Sequence, residues 1–241
     1  MLPGTWDVVS HTDIVNDIVI DNVIFFPQTD GMTSYRPAGA RHSPKSNQRE
    51  ATKRKLLEAA RDLFAIQGFE ETSVTQIAAQ AGVSHSLINA YFDGKAGLLY
   101  AVMHEFHQSQ IDRLAGPLAL EGDTREKIRQ IIGPWVEHEL SDRPLLAVLQ
   151  AYAWQWPQET EQQNREQLRA AFMPLRETLE GGIASGELRA DLDISGTLYV
   201  VLAIFTQALR FSLHDNDPPE TCLETIMTRI DIVLDGARAQ A

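Results

Sequence analysis

The sequence predicts an all-α protein, a short N-terminal helical domain followed by a larger helical one, and three observations carry that prediction. From Ser46 onward, apolar residues recur with the 3.6-residue period of amphipathic helices. No stretch after residue 46 alternates Val, Ile or Thr with polar residues between hairpin turns, as half-buried strands do. Glycine and capping residues fall where each apolar stripe should stop and the next begin.

The chain of 241 residues has room for a small domain and a medium one, each with its own core. Hydrophobic residues make up 44% and charged residues 22%, an ordinary globular balance that argues against intrinsic disorder. The single cysteine, Cys222, excludes an internal disulfide framework. It lies just after Pro218-Pro219 with no basic residue close by, so it reads as a small buried hydrophobe. No apolar run approaches the ~20 residues of a membrane span. A cytoplasmic protein without a membrane partner is expected.

Residues 1–45 differ from the rest and read as a disordered leader or a misplaced start, with Met32 as the alternative initiator. Val8 to Phe26 is a weak strand pattern interrupted by Asp13, Asp17 and Asp21. No basic residue precedes it, so it is not a secretory signal.

The first helix is predicted from Leu56, Leu57, Ala60, Leu63 and Phe64, which form one stripe, with Gly68 as its stop. Ser73 caps the second, and Gln76 three residues on completes a capping box. Val74, Ile77 and Ala81 give that helix its apolar face, and Gly82 ends it. Ser84 caps a short third helix running to about Phe92. A fourth runs from about Lys95 to Leu114, with Leu98, Leu99, Val102 and Phe106 inward. Five more follow, over roughly 123–140, 143–156, 160–184, 194–213 and 219–237. The domain boundaries read as 46–93 and 94–241.

Net charge is −12, which on its face argues against a nucleic-acid partner. Yet residues 41–95 hold eight Lys/Arg against six Asp/Glu, whereas the segments on either side are acidic. Local field, not total charge, governs approach to phosphates. Within that basic segment lie Ala78, Gly82 and Ile88. A small residue lets two helices pack closely, a glycine four positions on turns the chain at positive φ, and an aliphatic residue six further on drops beneath the turn. These intervals fit a helix-turn-helix, the unit that lays its second helix in the DNA major groove.

Several flanking residues sharpen this. They are Leu56-Leu57-Glu58-Ala59-Ala60, Leu63-Phe64, Gly68-Phe69, Thr72-Ser73-Val74, Ile77-Ala78, Ala81-Gly82-Val83-Ser84, Tyr91-Phe92, Lys95 and Leu98-Leu99. With them, the segment 47–106 resembles the TetR family of regulators. Farther on, only Gly186-Glu187-Leu188-Arg189-Ala190-Asp191-Leu192-Asp193 looks similar, at the bend before the family's last two helices.

The resemblance implies an N-terminal three-helix helix-turn-helix DNA-binding domain plus a C-terminal helical domain for ligand binding and dimerisation. Ser84, His85, Ser86 and Leu87 would stand where family members meet base edges. There His85 donates to a guanine or phosphate and Leu87 packs on a thymine methyl. Tyr91 and Lys95 match phosphate-holding positions, and Thr72, Ser73 and Thr75 would add hydroxyl or backbone contacts at a helix start. Asn89 replaces a frequent tyrosine and Ser86 a frequent glycine, so base preference does not carry over. Gly94-Lys95-Ala96-Gly97 replaces a more helix-favouring pattern, which predicts a loose start to the fourth helix. Arg36, Arg41, Lys45 and Arg49 read as a linker or as a minor-groove arm.

The partners implied are a palindromic double-stranded DNA operator, a small-molecule effector and a second copy of the chain. The last two helices, with stripes Leu198, Val201, Leu202, Phe205, Leu209 and Leu223, Ile226, Ile230, Val233, Leu234, would form the homodimer. Trp135, Tyr152, Trp154 and Phe172 make the middle helices aromatic enough to line an apolar pocket, with His138 and Arg210 at its margin. His104 and His107 read as helix surface. No catalytic, cofactor or metal signature is visible. The resulting expectation is a ligand-responsive repressor, with a helical small-molecule binder lacking DNA affinity as the alternative.

Overall fold

In the computed structural model, residues 44–114, 118–153 and 158–238 are described, and they form nine α-helices with no strand. The expectations for the leader, for Trp154 and for the Gly116-Pro117 stop lie outside the described residues.

Helix α1 (Pro44–Glu71) buries Leu56, Ala59, Ala60 and Phe64. At Gly68 the backbone leaves the helical region (φ 81, ψ 170), and one further turn follows. Helix α2 (Val74–Ala81) starts at the capping box foreseen in the sequence. The Gln76 N–H donates to Ser73 Oγ (3.2 Å) and the Ser73 N–H to Gln76 Oε1 (2.8 Å). Gly82 closes it in the left-handed region (φ 66, ψ 35), donating to the carbonyls of Ala78 and Ala79.

Helix α3 (Ser86–Phe92) begins one residue later than a Ser84 cap would require. The capping position falls to His85, which makes no side-chain cap, while Ser84 Oγ pairs with Ser86 Oγ at 2.9 Å. Helix α4 (Gly94–Leu114) opens at Gly94, whose φ of 97° is left-handed. A Cβ on Gly97 would lie 1.6 Å from the Phe92 carbonyl oxygen, so the glycine lets α4 press directly on the end of α3.

The remaining helices are α5 (Thr124–Leu140), α6 (Arg143–Tyr152), α7 (Gln158–Ala184), α8 (Ile194–Asp215) and α9 (Pro219–Ala237). Asp123, Asp142 and Asp193 cap α5, α6 and α8 through Glu126, Leu145 and Gly196 N–H groups. The family-like bend after α7 fastens the domain. Glu187 accepts from the Thr124 hydroxyl (2.7 Å) and N–H (3.1 Å), and the Arg189 N–H donates to Ala237 (2.9 Å).

Two hydrophobic clusters organise the chain. One gathers α1 to α4 around Leu56, Phe64, Ile77, Ile88, Leu98 and Val102, and it includes Leu145 and Leu149 from α6. The other joins α5, α7, α8 and α9, with Leu146 of α6. Helix α6 therefore belongs to both cores.

Helix α8 corrects one sequence expectation. Among the described residues it is the one helix long and apolar enough, by length and composition, to cross a bilayer. Its apolarity is two-sided. Leu198, Val201, Phe205 and Leu209 enter the chain's own core, while Tyr199, Val200 and Phe211 remain exposed on the other side.

Candidate nucleic-acid interface and effector cavity

Ile88 is fully buried and anchors α3, so the residues on the opposite side must face outward. Ser84, His85, Ser86 and Asn89 are exposed along one edge of this short helix. Ser73 and Thr75, at the start of α2, are exposed beside it. Leu87 is half-buried against the first cluster. Tyr91 is also half-buried, with the Arg49 guanidinium 5.3 Å from its ring centroid.

Two expected contact residues are engaged elsewhere. Thr72 is 1% exposed, and its hydroxyl donates to the Gly68 carbonyl at 2.6 Å. It satisfies a carbonyl freed by the Gly68 break, so its hydroxyl is closed to a phosphate. Lys95 Nζ donates to the carbonyls of Phe69 (2.8 Å) and Glu70 (3.3 Å) and sits 4.3 Å from the Phe69 ring centroid. Its ammonium fastens the start of α4 to the end of α1, where carbonyls face a cation.

Helices α4 to α8 line a half-open cavity of about 250 Å³. Trp135 and Phe172 line it as expected, with ring centroids 5.4 Å apart, and Phe205 meets Trp135 edge-on at 6.0 Å. Of the other expected residues that are described, Tyr152, His138 and Arg210 do not. Tyr152 packs on Phe69 at 4.6 Å between centroids and donates its hydroxyl to Glu70 Oε1 at 2.6 Å, so it joins α6 to α1. His138 stacks on Phe106 (4.3 Å, 27°) beside a separate groove lined by Arg61 and Glu137. Arg210 is exposed on α8.

Sequence reasoning missed Glu139 and His107, both of which line the cavity. Spacing held the clue, since Trp135 and Glu139 are one turn apart on α5, and Met103, His107 and Gln110 follow one face of α4. The Glu139 carboxyl is 5% exposed, and burial pushes its pKa up to about 8. Burial, then His138 and His104, lowers His107 to about 4. His107 Nε2 and Glu139 Oε1 lie 3.7 Å apart, and burial favours the uncharged form of each. Three further residues of the wall carry a buried polar atom without a hydrogen-bond partner: Gln110 Nε2, Trp135 Nε1 and Gln167 Oε1. Among the described residues, no three His, Cys, Asp or Glu side chains are grouped to hold a metal ion.

Comparison with known proteins agrees with this geometry. The family described as "Bacterial regulatory proteins, tetR family" matches residues 56–102. The fatty acid metabolism regulator protein of Bacillus subtilis is 29% identical over 139 residues, covering 58% of this chain and 72% of that protein. The regulator BetI of Klebsiella pneumoniae is 33% identical over 92 residues, 37% of this chain and 47% of BetI, so the chain spans about half of that relative. Among solved structures, the transcriptional regulator FadR from Bacillus subtilis in complex with stearoyl-CoA superposes with a TM-score of 0.61 at 24% identity. That superposition covers 72% of this chain and 97% of FadR.

Proposed function

This chain belongs to the TetR family of bacterial regulatory proteins, and on that premise we propose that it is a repressor released from a palindromic operator by a small-molecule effector. The observation that carries the proposal is the exposed edge of α3, Ser84, His85, Ser86 and Asn89, braced from beneath by buried Ile88. A short helix held rigidly at its base and bare along its outer edge suits insertion into a major groove. His85 and Asn89 offer groups for base edges. Ser73, Thr75 and Tyr91, with Arg49, would take the flanking phosphates.

Two such heads are needed to read a palindrome. The exposed apolar residues Tyr199, Val200 and Phe211 of α8 and Ile232 of α9 supply a face for a second copy. The stripes named from sequence are spent mainly on the chain's own core, so this opposite side would form the homodimer.

The effector would occupy the cavity among α4 to α8. Its walls include Met103 and Leu149, which also belong to the core of the N-terminal domain. A ligand that favours one packing of these residues shifts the relative placement of the two heads, in proportion to its differential affinity for the two states. The relation to a fatty-acid regulator and the apolar aromatic wall favour an effector with a hydrocarbon body.

The test is selection of bound fragments from the native genome, followed by binding assays on the recovered site. Recovery of an inverted repeat, with a changed motif for His85→Ala, is the expected result. Failure of any fragment to bind in a salt-dependent way would overturn the proposal.

A further inference from the structure

Two consecutive side chains at the start of α6 bond different parts of the molecule. Asp142 accepts from Arg61 of α1, the helix whose buried face shares a cluster with Ile88 of α3. Arg143 reaches the far end of α8. Its Nη1 donates to the Ser212 carbonyl at 2.9 Å and its Nη2 to the Asp217 carbonyl. Ser212 is buried, and its carbonyl also accepts the N–H of Asn216, which closes α8 at φ 56, and the N–H of Asp217 at 3.1 Å. One guanidinium thus spans the last turn of α8 and the turn that leads into α9.

The chemistry makes this clasp directional. Carbonyls at a helix C-terminus carry partial negative charge, so a cation is favoured there. A guanidinium is a rigid planar fork, and bonding two carbonyls at once fixes its orientation as well as its distance. An ammonium would bring the same charge as a point contact on a flexible stem. Ser212 directly follows Phe211, one of the exposed residues on the side of α8 proposed to meet a second copy. A continuous series of bonds therefore runs from that side of α8 through Arg143 and Asp142 to Arg61 on α1.

We infer that Arg143 is a positioning residue for operator recognition: it sets where each reading head stands relative to the twofold axis, and so which half-site spacing the dimer accepts, without touching DNA. This rests on the chain acting as a dimeric, operator-binding regulator. One base pair added between half-sites displaces one of them by about 3.4 Å and rotates it by about a tenth of a turn. A head clasped through α6 resists that change, and a head released from the clasp follows it.

The test uses duplexes carrying the inverted repeat recovered from the native genome, with its centre unchanged or altered by one base pair in either direction. The unmodified chain is expected to bind the native spacing at least about tenfold more tightly than its neighbours. Arg143→Met should reduce that ratio to about threefold or less, with the same half-site sequence selected and sedimentation still reporting a dimer. Arg143→Lys keeps the charge at the end of α8 and should fall between the two. Arg61→Met changes a half-exposed side chain at the other end of the clasp. It should shift the ratio in the same direction, and it carries the test if Arg143→Met does not fold. A loss of affinity by one factor at every spacing, an unchanged ratio, or an unmodified chain indifferent to spacing would overturn the role of Arg143 and leave the regulator standing. Recovery of no inverted repeat would overturn both.

Discussion

Arg61 of α1 grips Asp142 at the start of α6, with Nη2 at 2.9 Å and Nε at 3.2 Å from Oδ2. The same aspartate uses Oδ1 to accept the Leu145 N–H at 3.2 Å and so caps α6. One carboxylate thus sets both the start of α6 and its attachment to α1. At the other end of α6, Tyr152 bonds Glu70 and packs on Phe69, again on α1. Between these ends, Leu146 and Leu149 line the cavity. Helix α6, like α4, therefore joins the cavity wall to the cluster around α1.

Removing one end of that route should separate stability from coupling. Arg61 is half exposed, so Arg61→Ala should cost less than ~1 kcal/mol. Asp142→Ala also loses a helix cap and should cost about 1–2 kcal/mol. Both variants should bind the operator, with a smaller change in affinity on adding effector than the unmodified chain shows. Denaturant unfolding and gel-shift titration check this, and undiminished coupling in both would remove α6 from the mechanism.

Lys95 ties the start of α4 to the end of α1. With its ammonium on the Phe69 and Glu70 carbonyls, Lys95→Met should destabilise the N-terminal domain by about 1–2 kcal/mol. It should weaken binding to every DNA sequence alike, because α4 and α3 lose their seat. The slope of log affinity against log salt should stay the same. A slope smaller by about one would mean that the lysine neutralises a phosphate after all.

Much of the fold was legible because local signals agreed with one another. Ser73-Gln76 and Gly82 wrote the start and stop of α2, and the predicted spans of α5 and α7 to α9 fall within a few residues of the observed helices. The site was less legible, since helical period fixes which face is buried but not what it meets. Lys95 and Phe69 are distant in sequence and pair only once α1 and α4 are packed. His138 is one turn from Trp135 and Tyr152 one turn from Leu149, yet they pack on Phe106 and Phe69 instead of lining the cavity. His107 looked like surface because its partner Glu139 lies on another helix.

The outer side of α8 predicts how the assembly can be broken. Tyr199 and Phe211 are 53% and 46% exposed and contribute little to the chain's own core. Tyr199→Glu with Phe211→Glu should leave the single chain folded, with helical circular dichroism intact. Sedimentation should then report a monomer for this variant and a dimer for the unmodified chain, and operator affinity should fall by several orders of magnitude as bivalency is lost. A dimer that survives both charges would place its interface elsewhere.

The buried pair in the cavity predicts a particular dependence of stability on pH. Glu139 titrates near 8 in the folded chain against 4.5 as a free side chain. Between those values the folded state holds a proton that the unfolded state has released, so stability falls as pH rises. His107 titrates near 4 against 6.5. Between those values the unfolded state holds the extra proton, so stability rises with pH. From 4.5 to 6.5 the two slopes oppose and largely cancel. From 6.5 to 8 Glu139 acts alone, and at about 1.4 kcal/mol per unit the loss is about 2 kcal/mol. Glu139→Gln removes that term and leaves the His107 term. Urea unfolding at a series of pH values should therefore give an unmodified chain that loses about 2 kcal/mol relative to Glu139→Gln between pH 6.5 and 8. Parallel curves for the two proteins across that interval would mean that the carboxyl is ionised in the folded chain, and that the cavity carries a charge at neutral pH.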